Sequence, residues 1–265
     1  MPTACFRFHA DLNDFLPVHQ RETLFPYAFE SHQSVKHLIE SLGVPHTEVG
    51  QITSNGAQVD FGYRPREGDQ VEVFPLPLDE PGADDLAPEP RFVLDNHLGK
   101  LAAYLRMLGF DALYNNHYQD EELAYIASQE GRILLTRDRR LLMRKAVTLG
   151  YCVRATTPDQ QAREVLARFH LAGSITPFRR CLRCNGPLQP VAKEAVLDRL
   201  EPLTRQYYNE FHQCAACGQV YWKGSHYERM NRLVKSLREE ACTRPANRRT
   251  GGMRAASNSA TASPK

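Results

Sequence analysis

Three aspartates in this chain follow or precede apolar runs in a way that would bring them together. Asp95 follows Phe92-Val93-Leu94, Asp138 follows Ile133-Leu134-Leu135-Thr136, and Asp120 opens a helical stretch. Where strands alternate with helices, the carboxyl ends of the parallel strands share one edge of the sheet, and ligands bind there. Asp95 and Asp138 are expected to meet at that edge, with Asp120 reaching them from its helix start. Gathered carboxylates repel one another unless a cation lies between them, and Mg²⁺ and Mn²⁺ prefer oxygen ligands. That chemistry acts on phosphodiesters. Each aspartate alone also reads as a helix cap, because Asp accepts bonds from the free N–H groups of a first turn. Their joint placement on one edge favours the site.

Other chemistries lack their signatures. There is no Gly-x-Gly-x-x-Gly after a strand, no P-loop and no Gly-x-Ser-x-Gly elbow. A phosphoaspartate enzyme built on Asp95 would want a second acid two positions on, where the chain has His97. His97 and His117 read as surface residues.

The elements that must position the aspartates run from 91 to 171. A strand at 91–95 leads to a helix with Leu98, Leu101, Ala102, Leu105 and Leu108 on one face, closed by Gly109. A short strand near Ala112–Tyr114 precedes a helix from Asp120 to Glu130, closed by Gly131. A strand at 132–136 leads to a helix through Leu141, Leu142 and Ala146, closed by Gly150, and a strand at 151–155 leads to a helix beginning near Pro158. Repeated units of this length predict an α/β fold, a parallel sheet with helices on both faces.

Residues 1–78 form a separate β-rich unit. Cys5-Phe6-Arg7-Phe8-His9 alternates as a half-buried strand does, and Val35, Leu38, Ile39 and Leu42 share one helical face that ends at Gly43. Asn55-Gly56 predicts a hairpin turn, and Gly68-Asp69 a second turn before Val71-Glu72-Val73-Phe74. The stretches Ser54-Asn55-Gly56 and Gly68-Asp69-Gln70-Val71-Glu72-Val73-Phe74-Pro75 resemble the ubiquitin-like β-grasp family, especially its sulfur-carrier branch. Carriers end in a free Gly-Gly. This unit instead continues into a Pro- and acid-rich linker at 79–90, which argues against a carrier and leaves a binding module, for a protein partner, or a substrate-guiding one.

Residues 172–235 hold Cys181-Leu182-Arg183-Cys184 and Cys214-Ala215-Ala216-Cys217, separated by 29 residues. Four thiolates predict a closed, structural Zn²⁺ site, a zinc ribbon. Disulfides do not suit the cytoplasmic location expected of a chain with no secretory pattern at residues 1–5 and no apolar run of about 20 residues. Cys5, Cys152 and Cys242 are unpaired in sequence and read as inert. Residues 236–265, poor in large apolar side chains, are expected to form a disordered basic tail.

Charge is distributed unevenly. Residues 1–130 carry 8 basic and 21 acidic residues, whereas residues 131–265 carry 25 and 10. Of the 33 basic residues, 26 are Arg, whose fork matches phosphate oxygens in pairs. The basic half reads as a surface for a phosphate backbone, with Arg137, Arg139, Arg179, Arg180 and Arg183 as candidate contacts. Tyr207, Tyr208, Tyr221, Trp222 and Lys223 add aromatic character to the ribbon, either for stacking bases or for the small core around the metal.

Five stretches carry a wider resemblance: Phe92-Val93-Leu94-Asp95, Leu98-Gly99-Lys100-Leu101-Ala102, Leu105-Arg106-Met107-Leu108-Gly109-Phe110-Asp111, Asp120-Glu121-Glu122-Leu123, and Ile133-Leu134-Leu135-Thr136-Arg137-Asp138-Arg139. Together they resemble the Mut-seven C-terminal RNase family, a PIN-like nuclease domain with a zinc ribbon, over about residues 4–235. The resemblance implies metal-dependent cleavage of RNA. It carries Asp95, Asp120 and Asp138 over as holders of Mg²⁺ or Mn²⁺. Asp111 matches the family pattern too and reads either as a support for them or as a residue of the turn into the next strand, and Thr136, two residues before Asp138, as a support that orients its carboxylate. The layout expected is a β-grasp domain (1–78), a linker (79–90), the nuclease domain (91–171), the ribbon (172–235) and the tail. Two rivals stand beside this reading: a non-catalytic RNA-binding adaptor, and a DNase or phosphatase on the same site.

Overall fold

The near-continuous apolar runs at 91–94 and 133–136 belong at the centre of a sheet, buried on both faces. In the computed structural model, which describes residues 1–76 and 90–243 (backbone only at 240–243), they do so. The expected linker, except Pro90, and residues 244–265 of the expected tail lie outside the described residues.

The N-terminal unit comprises β1 (Thr3–Phe8), β2 (Phe25–Ala28), α1 (Val35–Ser41), β3 (Val49–Ser54), β4 (Ala57–Val59) and β5 (Gln70–Pro75). Its sheet order is β2-β1-β5-β3-β4, with β1 and β5 parallel and the other pairs antiparallel. Alternation in β1 buries Ala4, Phe6 and Phe8 in a core shared with Val35, Leu38 and Ile39 of α1. This is a β-grasp fold. Asn55 and Gly56 both take positive φ, 51° and 81°, as a type I′ hairpin turn requires.

The second unit comprises β6 (Arg91–Leu94), α2 (Gly99–Leu108), β7 (Asp111–Tyr114), α3 (Asp120–Glu130), β8 (Ile133–Thr136), α4 (Arg139–Leu142), β9 (Gly150–Cys152) and α5 (Pro158–Arg168). Its four strands are all parallel, in the order β7-β6-β8-β9. Phe92, Leu94, Ile133 and Leu135 face α2 and α5. Val93 and Leu134, on the other face, belong to one continuous core with α3, α4 and the β-grasp residues. The β-grasp unit therefore helps to cover this parallel sheet, where helices alone were expected. The helix expected to run through Ala146 to Gly150 is a single turn, α4, and Gly150 begins β9 instead of closing a helix.

β10 (Leu188–Val191), β11 (Phe211–Cys214) and β12 (Val220–Trp222) form an antiparallel ribbon with α6 (Pro202–Tyr207) inserted between the first two strands. Val196, Leu200, Phe211 and Val220 form its small core. The chain then returns along α7 (Ser225–Thr243), whose Val234 and Leu237 are buried against the α2–α5 face. Each such apolar side chain contributes about 2 kcal/mol by leaving water. Residues 236–243 are thus helical, where disorder was expected, because α7 has the α2–α5 face to pack against. Gly109 (φ 102°) closes α2 where the backbone of Thr176 passes so near that no Cβ fits.

Candidate active site

Asp95 stands one residue beyond β6. The register pairs Leu94 with Leu135, so Asp95 faces the end of β8. Its side chain is 6% exposed, and both carboxylate oxygens are engaged. Oδ1 accepts from the His97 amide at 2.9 Å. Oδ2 accepts a short bond from the Thr136 hydroxyl and a longer one, 3.3 Å, from the Arg137 amide. The buried Thr136 Oγ1 in turn accepts from the Asp138 amide at 2.9 Å. Thr136 therefore ties the two strand-end aspartates into one chain of hydrogen bonds.

Asp138 is exposed and caps α4, its Oδ1 accepting from the Arg140 amide at 2.8 Å. Asp120 opens α3 as expected. Its carboxylate faces Arg144 Nη2 at 3.6 Å, and the same nitrogen donates to Glu121 Oε1 at 2.9 Å. Asp111 does not join them. It begins β7 opposite Arg91, at the amino end of the sheet. There it pairs with Arg132 (2.7 Å) and Arg180 (3.5 Å) and accepts from Asn185. Burial alone would raise its carboxyl. The bonds from Arg132 and Asn185, with the charges of Arg132 and Arg180, hold it below the ordinary value instead.

Among the described residues no three carboxylates bring ligand oxygens within 4.8 Å of one another. The oxygen donors at the strand ends suit a hydrated divalent ion held by one or two carboxylates, as Mg²⁺ is commonly bound. They do not form a closed three-carboxylate cage.

The structure separates the candidate arginines. Arg139, though exposed, donates to the Phe15 carbonyl at 3.0 Å, with its guanidinium 5.0 Å from the Phe15 ring. Arg180 is tied to Asp111 and to the Asn185 carbonyl. Arg179 donates to the Gly109 carbonyl. Arg137 and Arg183 are exposed, as is Arg140, which the sequence reading passed over. His97 and His117 are exposed too.

The four cysteines converge. Their sulfurs lie within 4.8 Å of one another, with Cys181 and Cys217 at 3.6 Å and Cys184 and Cys214 at 3.4 Å. A tetrahedral ion with sulfur at about 2.3 Å needs sulfurs a little under 4 Å apart, so the set fits Zn²⁺. A Cβ on Gly186 would lie 2.9 Å from Cys214 Sγ. Burial pushes the Cys184 thiol up to about 12. For Cys214, N–H bonds from Cys217 and Ala216 outweigh burial and bring it down to about 7. Tyr221 belongs to this core, its hydroxyl 3.1 Å from both Cys181 Sγ and the Leu182 amide. Trp222 is 39% exposed and Tyr207 67%.

A buried residue that no spacing rule flagged holds the ribbon in place. Arg106, 4% exposed, donates to the carbonyls of Ala112, Leu182 and Arg183, so it bridges β7 and the first cysteine knuckle. Asn185 completes the junction by accepting from the Ala112 amide. Arg106 shows in sequence only as one charge among the leucines of α2.

Residues 90–234 match the model of the Mut7-C RNAse domain family, and residues 1–79 match the Mut7-C ubiquitin family. The chain belongs to the Mut7-C RNase domain family. A human relative described as an exonuclease mut-7 homolog is 38% identical over 101 residues, which is 36% of this chain and 12% of that protein. Two crystal structures of small archaeal modifier protein 1 from Haloferax volcanii are similar to the chain at 14% and 15% identity. They cover 28% and 29% of this chain and 98% of theirs, with TM-scores of 0.24 and 0.23. Family membership makes this a nuclease-type domain carrying a ubiquitin-like unit. No helix among the described residues is long and apolar enough to cross a membrane.

Proposed function

We propose that the chain is a metal-dependent ribonuclease whose active site is the carboxyl edge of β6 and β8. The observation that carries the reading is the hydrogen-bonded chain Asp95–Thr136–Asp138 at the strand ends of a Mut7-C domain. Asp95 and Asp138 would hold Mg²⁺ or Mn²⁺, with Asp120 joining from the start of α3 once it releases Arg144. The bound ion would supply activated water and charge stabilisation at the scissile phosphate. The protein's own part is to hold the site. Thr136 fixes the Asp95 carboxylate by its hydroxyl and the Asp138 backbone by its oxygen. Arg137 and Arg140, exposed beside the acids, would draw the RNA backbone against them. Cys181, Cys184, Cys214 and Cys217 would hold a structural Zn²⁺ that closes the ribbon. The ubiquitin-like unit leaves room for a protein partner.

The test is cleavage of a labelled single-stranded RNA with Mn²⁺ by the wild type, Asp95→Asn and Asp138→Asn, each shown to be folded by circular dichroism. Both variants should lose at least about a hundredfold in rate, because outer-shell partners of a metal already carry losses approaching that size. Undiminished cleavage by either removes it from the site.

One rival is favoured by a specific observation. Both oxygens of Asp95 already accept hydrogen bonds, and Asp120 is paired with Arg144. A protein that binds RNA without cutting it would keep those bonds. Salt-sensitive RNA binding that ignores Mn²⁺ and the Asp95→Asn change, with no cleavage, would establish that reading.

A further inference from the structure

α4 is one turn long, and a helix that short has no stability of its own. It must be held from outside, and it carries Asp138 at its start. Leu141 and Leu142 anchor one side in the core shared with the β-grasp unit. The other hold is Arg139. This side chain crosses to the N-terminal unit, where Nη1 donates to the Phe15 carbonyl at 3.0 Å and the guanidinium lies 5.0 Å from the Phe15 ring. Arg154, just beyond β9, lies over the same ring at 4.7 Å. Phe15 is 6% exposed, so the ring is enclosed with two cations stacked on it. Arg154 is fixed in turn by Glu48 Oε2 at 3.3 Å, and Glu48 Oε1 accepts from the Cys152 amide at 2.7 Å.

We infer that the ubiquitin-like unit is a positioning element of the active site: Phe15 holds Arg139, and through it α4, so that the Asp138 carboxylate stays at the Asp95–Thr136 edge. The contrast with Arg144 shows a second consequence. Arg144 faces Asp120 and Glu121 and offsets part of their charge. Arg139, next in sequence to Asp138, bonds to the Phe15 carbonyl instead. Bound to Phe15, it leaves the Asp138 carboxylate for a cation. The inference rests on the proposal that Asp138 binds the catalytic metal.

The experiment measures Mn²⁺ affinity of the full chain by the electron paramagnetic resonance of free Mn²⁺, alongside kcat and KM for RNA. Arg139→Ala should weaken Mn²⁺ by about tenfold and lower kcat with little change in KM. Phe15→Leu should act in the same direction and less strongly, since the main-chain carbonyl remains. Should Arg139→Ala fail to fold, Phe15→Leu carries the test. Arg168→Ala is the control. Arg168 donates to the Leu76 carbonyl at 3.1 Å, so its loss loosens the same interface away from α4 and should leave Mn²⁺ affinity unchanged. An Arg139→Ala protein with wild-type Mn²⁺ affinity and only a raised KM would make Arg139 a phosphate contact and overturn the clamp. Equal losses from Arg139→Ala and Arg168→Ala would overturn it as well, as general loosening. An Asp138→Asn protein with wild-type Mn²⁺ affinity would instead sink the assignment of the site, and the clamp with it.

Discussion

The four cysteine sulfurs of the ribbon lie within 4.8 Å of one another, whereas no three carboxylates of the nuclease edge share such a sphere. The cysteines come two to a knuckle, and each knuckle fixes its pair through local backbone geometry, so only one juxtaposition, β11 beside the first knuckle, is left to the fold. The aspartates come one to an element, from β6, α3 and β8. In this structure each is already satisfied by something other than a metal: an amide, a hydroxyl or an arginine. A thiolate site of this kind holds its ion as part of the fold. A carboxylate site of this kind keeps its ion exchangeable and partly hydrated, which suits turnover. The two sites also differ in their backing. The ribbon is pinned by buried groups, Arg106 and Asn185, whereas at the acidic edge Asp138 caps a one-turn helix whose Arg139 bonds to Phe15 of the β-grasp unit.

Breaking the prebuilt site should have the largest effect. Cys214→Ser should lose the ribbon metal and unfold β10–β12, since binding of a structural Zn²⁺ contributes on the order of 10 kcal/mol to folding. Metal content and limited proteolysis check this, and a ribbon that stays ordered without metal would remove the contrast. Arg106→Met comes next. Three carbonyls lose their donor inside the junction, for about 3 kcal/mol, and thermal unfolding should show it while Mn²⁺ affinity at the acidic edge holds.

Asp111→Asn probes the same junction through pH. The Asp111 carboxyl lies below its ordinary 3.8, so its contribution is complete above that value and is lost as pH falls through the folded value. The wild type should exceed the variant by about 2 kcal/mol at neutral pH. That gap should close in acid unfolding below pH 3.8, and a gap constant with pH would contradict the assignment. Arg144→Gln addresses the open site. Removing a competitor of partly exposed Asp120 should tighten Mn²⁺ by about two- to threefold, the scale of a surface ion pair, read by calorimetry. The smallest change is expected of Arg140→Ala. Its KM for RNA should rise modestly and the salt slope of binding fall by about one. An unchanged slope would remove Arg140 from the RNA path.

Most of the local pattern was legible in the sequence. Gly43, Gly109 and Gly131 take positive φ at helix ends as their positions suggested, and Asn55-Gly56 forms its hairpin. Thr136, read only as a support for Asp138, lies between both strand-end aspartates because strand pairing aligns β6 with β8. The role of Asp111 was legible only in part. Its place before the strand near Ala112–Tyr114 puts it at the amino edge of a parallel sheet, but its partners Arg132, Arg180 and Asn185 come from distant elements. The one-turn α4 did not show, since Leu141, Leu142 and Ala146 keep helical spacing whether or not the backbone does.

The sequence alone determined which side chains could do chemistry: two C-x-x-C pairs, three aspartates after apolar runs or at a helix start, and an excess of arginine in the second half. It determined most of the elements as well, because periodicity and turn residues act over a few positions, but not the length of α4 or the helical end of α7. Tertiary structure decided which of these groups meet. It sent Arg139 to Phe15 and Arg144 to Asp120, buried Arg106 against the cysteine knuckle, and merged the β-grasp core with one face of the nuclease sheet. Such pairings span tens to more than a hundred residues. They follow from how packed surfaces exclude water and satisfy buried polar groups, and no local spacing in the chain records them.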